Sequence, residues 1–140
     1  ISNFAKEGFR SQHNSIYWRD EKYLGLGPSA HSYDGNSRQW NISNLTKYIQ
    51  LVGDAELFYE KEILSTEGKF NEYVMTSLRT SWGCDIEKIE RDYGKSYAHH
   101  FLKNIKKYLE NGEMLKENNT YFLSEEGKLF ADGIAADLFL

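Results

Sequence analysis

The sequence has few of the features that several classes of protein need. Its 140 residues include one cysteine, Cys84, so the chain cannot form an internal disulfide or supply several thiolates to a metal or iron–sulfur site. No stretch approaches the roughly 20 consecutive apolar residues of a membrane-spanning helix. Basic residues are also scarce for a protein built mainly to bind phosphates. The 17 Lys and Arg are outnumbered by 21 Asp and Glu, which gives a formal charge of −4.

What is present indicates a globular chain whose first third is irregular. Apolar residues make up 40% and charged residues 27% of the sequence, and its many aromatic residues are typical of a packed core. Up to about residue 44, Gly, Ser, Asn and His are frequent, and residues 23–27 predict a short buried strand that Pro28 ends. Because a lone strand is marginal in water, we expect it to belong to a larger sheet. The start at Ile1, without an initiator Met, also predicts a piece of a longer protein.

Helical periodicity begins after Asn44 and continues nearly to the end of the chain. An apolar stripe predicts a first helix, and residues 54–68 predict a connector that contains more helix. Three further helices, a hairpin around a polar turn and a last helix starting at Ser124 then give the element order of a winged-helix domain. The first stripe consists of Leu45, Tyr48, Ile49 and Val52, one later helix has its stripe over residues 101–109, and the last buries Leu129, Phe130, Ile134 and Leu138.

The densest group of chemically useful side chains lies at residues 13–18. The imidazole of His13 is a metal ligand of the kind that holds haem iron, and its other ring nitrogen needs an orienting partner. Tyr17 and Trp18 offer flat apolar rings against which a porphyrin can stack. The alternative is a structural histidine that holds a loop by hydrogen bonds, with Trp18 buried beside it.

A second group follows the predicted strand. Ser29, His31 and Ser32 come directly after Gly25 and Gly27, where a strand ends. The carboxyl ends of parallel strands are where barrel and open-sheet enzymes place their sites, so these polar residues are candidates for binding. Ordinary turn chemistry is the alternative, and the two glycines do not make a dinucleotide fingerprint because the third glycine is missing.

The helix that contains His99 and His100 offers weaker candidates. Adjacent histidines point about 100° apart on a helix, so this pair cannot chelate one ion. Nearby lysines predict either a solvated face or a nucleic-acid recognition helix, and the acidic chain favours the solvated face. Those lysines are Lys95, Lys103, Lys106 and Lys107. Cys84 is predicted to be structural, since nothing near it in the sequence activates a thiol.

Several of these stretches resemble HemW-type proteins, which are radical-SAM relatives of oxygen-independent coproporphyrinogen III oxidase (HemN). The resemblance rests on residues 1–5, on the motif His13-Asn14-x-x-Tyr17-Trp18, and on residues 23–32. Shorter matches are Arg38-x-Trp40-Asn41, residues 71–79 and residues 132–139. The H-N-x-x-Y-W motif separates the HemW-type branch from the true oxidases, so the resemblance favours HemW.

The resemblance implies an α+β chain that forms part of a longer protein. Residues 1–44 would be a piece of the radical-SAM α/β barrel, 45–65 a helical connector, and 66–140 a mostly helical, winged-helix-like HemN C-terminal domain. In the family that domain covers the barrel mouth and does not bind DNA. The iron–sulfur cluster and S-adenosylmethionine would be bound upstream by the full-length parent, and neither by this chain alone.

The implied function is that of a haem chaperone in the cytoplasm, which delivers haem to respiratory proteins of the membrane. His13 would contact or ligate the haem iron, with Asn14, Tyr17 and Trp18 in the same motif and His31 as a weaker candidate. We expect no catalytic residue in this chain and no nucleic-acid partner. Two alternatives stay open: part of a coproporphyrinogen III oxidase, and a winged-helix nucleic-acid-binding module that uses Lys103, Lys106 and Lys107.

Overall fold

The computed structural model describes residues 4–53 and 58–140, which contain seven α-helices and two small sheets. Residues 1–3 of the first family-like stretch and residues 54–57 of the predicted connector lie outside the described residues. The elements are, in chain order, α1 (Gln12–Trp18), β1 (His31–Tyr33), β2 (Ser37–Asn41), α2 (Leu45–Gly53), β3 (Tyr59–Ile63), α3 (Thr66–Leu78), β4 (Cys84–Asp85), α4 (Ile86–Asp92), α5 (Lys95–Asn104), α6 (Lys106–Glu110), β5 (Met114–Glu117), β6 (Thr120–Leu123), a 3₁₀ helix (Gly127–Phe130) and α7 (Ala131–Asp137).

These elements form two compact units. Residues 11–64 make one, called here the sheet unit. Residues 65–140 make the other together with the N-terminal segment that ends at Arg10, and we call it the helical unit. Each unit mixes helix with a three-stranded sheet, which confirms the predicted α+β class. The domain boundaries proposed from the sequence, at residues 44 and 65, stay a prediction.

An antiparallel sheet with the order β1-β2-β3 organises the sheet unit. The β1–β2 turn is closed by Asp34, whose carboxylate accepts from the Ser37 hydroxyl at 2.7 Å and from the backbone N–H groups of Asn36 and Ser37 at 2.8 and 2.7 Å. These hydrogen bonds hold the pKa of Asp34 well below its usual range. The turn sets the β1–β2 register, in which His31 pairs with Trp40. On its other side β2 pairs with β3, and there Trp40 pairs with Glu60.

Two sequence predictions for the sheet unit are wrong. Residues 23–27 form no strand, because only Tyr23 bridges to Tyr33, while the N–H groups of Gly25 and Gly27 donate to side chains instead. The side chains of Leu24 and Leu26 are 76% and 81% exposed, so the expected burial is absent as well. Among the described residues of the predicted helical connector, α2 is helical, whereas the second half contains β3, which pairs along the whole of β2.

The helix predicted from the stripe at residues 45–52 is present as α2, but the stripe is not buried within the described part of the chain. Leu45, Ile49 and Val52 are 60%, 62% and 46% exposed. Tyr48 is half-buried, packs edge-on against Phe58 with ring centroids 5.5 Å apart, and accepts a hydrogen bond from Gly27 N–H. Helical spacing therefore identified the helix correctly but not what covers it.

The helical unit has the predicted winged-helix order. Helices α3, α4 and α5 are followed by the β5–β6 hairpin, and β4 joins that hairpin to give the sheet order β4-β6-β5. Asp85 caps α4, since its side chain accepts from Glu87 N–H at the start of that helix. The largest fully buried side chains of the core are Phe70, Phe101, Leu78, Ile89, Ile105, Met114, Leu138, Val74 and Cys84.

Two helical predictions for this unit need correction. The helix expected over residues 101–109 is divided into α5 and α6 at Ile105, although its apolar stripe stays largely inside. The last helix does not run from Ser124, because a 3₁₀ turn precedes α7. A 3₁₀ turn places side chains every 120° instead of every 100°, so Leu129 and Phe130 are 81% and 59% exposed while Ile134 and Leu138 are buried.

The end of the chain is held by side chains of α3 and α5. Asn71 donates to the carbonyl oxygen of Leu140 and accepts from its N–H, at 3.1 and 3.0 Å. The ring nitrogen Nε2 of His100 lies 3.1 Å from the carbonyl oxygens of both Leu138 and Phe139. The stretch 132–139 that resembles the family is therefore fixed by structural contacts.

Truncation of Phe101 should destabilise the helical unit far more than truncation of its neighbour. Phe101 is fully buried, so Phe101→Ala leaves a cavity and should lower the free energy of unfolding by about 3–5 kcal/mol. Leu102 is 36% exposed, and Leu102→Ala should cost clearly less. Urea unfolding followed by circular dichroism measures both, and equal losses would contradict the core described above.

Asp137 should stabilise the protein at neutral pH and lose that effect in acid. Its carboxylate accepts from Lys107 Nζ and from the Tyr108 hydroxyl, both at 2.6 Å, and these bonds lower the pKa of Asp137. A lowered pKa stabilises the fold above the unfolded value of about 4, and the effect is lost as the pH falls through the folded value. Asp137→Asn should therefore unfold more easily at pH 7, with a difference from the parent that shrinks toward pH 3. A difference that is constant with pH would exclude this ion pair as its cause.

Candidate functional site

His13 and Tyr17 lie on one face of α1 and contact each other. The helix begins after Ser11, whose hydroxyl oxygen accepts from Asn14 N–H at 3.3 Å. One turn separates His13 from Tyr17, and the Tyr17 hydroxyl lies 3.3 Å from His13 Nε2 with the two rings edge-on at 5.1 Å. His13 is exposed, and its Nδ1 is the ring nitrogen that does not meet the Tyr17 hydroxyl.

Ring contacts continue from Tyr17 into the sheet. Tyr17 packs edge-on against Tyr23 with centroids 4.7 Å apart, and Tyr23 lies 6.2 Å from Tyr33. Paired backbone hydrogen bonds of 3.0 and 2.9 Å join Tyr23 and Tyr33, and Tyr33 is only 6% exposed. We call His13, Tyr17, Tyr23 and Tyr33 the aromatic row. The row connects an exposed imidazole to a buried, fixed ring, so the exposed end is held in place.

The other two motif residues lie on the neighbouring face of α1. Asn14 and Trp18 each follow a member of the His13–Tyr17 pair by one residue, which turns them about 100° around the helix. Asn14 is exposed, whereas Trp18 is half-buried at the last position of α1. The structure therefore brings His13 and Tyr17 into direct contact and places Asn14 and Trp18 beside them.

His31 lies at the start of β1, not after a strand as the sequence predicted. The preceding residues 23–27 are not a strand, so the expected position at a strand's carboxyl end does not exist. The His31 ring is exposed and tilted by 35° against Trp40, with centroids 6.4 Å apart. Since side chains alternate along a strand, His31 and Tyr33 belong to the same face of the sheet.

The glycine segment that precedes His31 is anchored by buried polar side chains. Asn41, which is 3% exposed, donates from Nδ2 to the carbonyl oxygens of Gly27 and Gly25 at 2.9 and 3.4 Å. Ser32 is also buried, and its hydroxyl accepts from Gly25 N–H at 3.0 Å. Ser32 is therefore a structural residue. Sequence patterns did not predict that Asn41 holds this segment, although the Arg38-x-Trp40-Asn41 match could have pointed to it.

Cys84 and the histidine pair of α5 belong to the helical unit. Burial raises the pKa of the Cys84 thiol, which confirms its structural role. Because this is the only thiol of the chain, the residues present do not fit an iron–sulfur cluster. In residues 4–53 and 58–140, no group of three or more His, Cys, Asp or Glu is placed to hold a metal ion. None of the helices in these ranges is long and apolar enough to cross a membrane.

The basic surface needed by the nucleic-acid alternative is partly neutralised. Lys107 forms an ion pair with Asp137 at 2.6 Å, and Lys95 lies 3.9 Å from Glu90. Lys103 and Lys106 remain as exposed positive charges near the end of α5. Since phosphate contacts supply most of non-specific nucleic-acid binding, two lysines on an acidic chain make a poor recognition surface.

Comparison with known proteins agrees with the resemblance read from the motifs. Residues 64–130 match the HemN C-terminal domain family. The chain is 32% identical over 135 residues to the heme chaperone HemW of Bacillus subtilis, covering 96% of this chain and 36% of that protein. It is 27% identical over 152 residues to the mitochondrial radical S-adenosyl methionine domain-containing protein 1 of Bos taurus, covering 99% and 34%.

A solved structure shows the same fold. The chain matches coproporphyrinogen III oxidase (HemN) from Escherichia coli, described as a radical SAM enzyme, with a TM-score of 0.63 and 19% identity over 92% of this chain and 34% of that one. The chain is thus similar to HemW proteins over most of its length and to the HemN C-terminal domain family over residues 64–130. It spans about a third of the length of the curated relatives it matches.

Gly25→Ala should disturb His31 and the sheet unit. A Cβ atom at Gly25 would lie 2.1 Å from the carbonyl oxygen of His31, so the backbone of one or both residues must move. We expect a loss of about 1–3 kcal/mol in the free energy of unfolding. Gly53→Ala is the control, because a Cβ there meets nothing within 4 Å at the end of α2. A Gly25→Ala variant as stable as the control would contradict the close approach.

Proposed function

We propose that this chain, as part of a HemW/HemN-like radical-SAM protein, binds haem and passes it to other proteins. The observation that carries the proposal is an exposed histidine that is nevertheless held in place. His13 contacts the Tyr17 hydroxyl, and Tyr17 packs on the sheet through Tyr23. The names of the curated relatives, heme chaperone HemW among them, support the same cargo.

In this proposal His13 binds the haem iron through a ring nitrogen. When the Tyr17 hydroxyl accepts from Nε2–H, Nδ1 is unprotonated and free to act as the ligand. A hydrogen bond to the second ring nitrogen fixes the orientation of the imidazole and raises its basicity. Tyr17 is thus the orienting partner of His13. We assign Asn14 and Trp18 of the same helix, and His31 of β1, to the haem surroundings.

The exposure of His13 suits a carrier better than a permanent haem protein. A haem bound at the surface keeps one side accessible, so a receiving protein can offer its own ligand before the first is released. We propose that the recipients are respiratory proteins and that transfer takes place in the cytoplasm, at the periphery of membrane proteins. The iron–sulfur cluster and S-adenosylmethionine would belong to the full-length parent, outside this chain.

His13→Ala should weaken haem binding by about tenfold or more, since the variant removes the proposed iron ligand. Titration of the protein with haem, followed in the Soret absorbance, measures the affinity. His99→Ala is the matched control, because His99 is also exposed but lies on α5. The same affinity and the same Soret position in His13→Ala and the parent would remove His13 from the ligand role.

A turnover assay distinguishes the haem carrier from the alternative, a coproporphyrinogen III oxidase. A coproporphyrinogen III oxidase would convert its substrate to protoporphyrinogen, whereas the proposed carrier would not. Turnover by the full-length parent, reconstituted with its cluster and S-adenosylmethionine, would therefore favour the oxidase.

A further inference from the structure

We propose that Trp40 is the stacking platform on which the porphyrin ring rests, and that Glu60 holds it there. This inference rests on the proposed haem function and names a residue outside the H-N-x-x-Y-W motif. It also assigns a role to the Arg38-x-Trp40-Asn41 match, for which the sequence offered none.

Contacts with two residues, Glu60 and His31, define the orientation of Trp40. The indole Nε1–H donates to the Glu60 carboxylate at 3.1 Å, across the β2–β3 register pair that these two residues form. On the other side Trp40 pairs with His31 in the β1–β2 register, and the two rings lie at a shallow angle of 35°. Trp40 is half-buried, whereas His31 and Glu60 are exposed. The indole is therefore held at its Nε1 edge by Glu60 and lies beside the His31 ring, while part of its surface faces outward.

The His31–Trp40–Glu60 line lies on the same sheet face as the buried end of the aromatic row. Positions 31 and 33 share a face of β1, as do positions 38 and 40 of β2. Tyr33 contacts Tyr23, which contacts Tyr17 beside His13. The aromatic row ends at Tyr33, and His31 and Trp40 form a separate ring pair on the same sheet face. Both groups belong to one compact unit.

The chemistry of this face fits a large, flat, conjugated ring. Indole offers the widest aromatic surface of any side chain, and offset stacking needs a ring whose plane is already set. The hydrogen bond to Glu60 engages the polar edge of the indole, so the apolar face is what remains for a ligand. Arg38 and Glu62 form the next register pair on this face and place one charge of each sign beside it.

The experiment compares haem with iron-free protoporphyrin, because stacking does not need the iron and ligation does. Trp40→Leu should weaken binding of both compounds about tenfold, whereas Trp40→Phe should restore most of the affinity by keeping an aromatic ring. His13→Ala should weaken haem alone. Trp82→Phe, in the helical unit, is the control and should change neither affinity.

Glu60 gives an independent test that does not remove the indole. Glu60→Ala should free the ring and weaken the binding of both porphyrins several-fold, while Glu60→Gln keeps an acceptor oxygen and should stay close to the parent. The circular dichroism that the protein induces in the Soret band should change in Glu60→Ala as well, because it depends on the angle between indole and porphyrin. The Glu60 variants test the stacking role of Trp40 even if Trp40→Leu does not fold.

The outcomes separate this inference from the proposed function. Suppose that Trp40→Leu and Glu60→Ala bind both porphyrins as tightly as the unsubstituted chain, while His13→Ala binds haem more weakly. That result would overturn the stacking role of Trp40 and leave the proposed haem function standing. If the unsubstituted chain binds neither haem nor protoporphyrin, both the stacking role of Trp40 and the proposed haem function are overturned.

Discussion

The backbone bridge between Tyr23 and Tyr33 is the constraint on which the candidate site depends. Tyr23 is the one residue of the segment 23–27 that pairs with the sheet, and its ring lies between Tyr17 and Tyr33. The ring of Tyr17 in α1 reaches the sheet through Tyr23, and the bridge is what keeps Tyr23 beside Tyr33. The position of His13 therefore follows from a pairing ten residues further along the chain, and not from α1 alone.

The close approach of Gly25 to His31 is the second half of the same constraint. A segment that pairs at a single residue needs other partners, and Ser32, Asn41 and Tyr48 supply them through side-chain bonds to Gly25 and Gly27. These bonds place polar side chains inside the sheet unit, where leaving them unpaired would be costly. The segment that precedes His31 is thus held by polar side chains, of which Ser32 and Asn41 are buried.

Sequence patterns predicted the elements of the chain better than their surroundings. The α2 stripe and the β5–β6 hairpin follow local rules of spacing and turn chemistry, so both were found. Burial depends on what packs against an element, which explains why Leu45 and Leu26 were expected inside but are exposed. The pairing of Tyr23 with Tyr33, and of Trp40 with both His31 and Glu60, is a property of register that spacing does not reveal.

Family-like motifs in the two units have different physical meanings. In the helical unit, the stretch 132–139 is occupied by contacts within the fold: Asp137 binds Lys107 and Tyr108, and the carbonyls of residues 138 and 139 meet His100. In the sheet unit, the motif residues His13 and Tyr17 remain exposed although they are fixed. A side chain that is held in place without being covered has lost conformational entropy without gaining full burial. That imbalance is reasonable where a ligand completes the packing, which is why we place the function in the sheet unit.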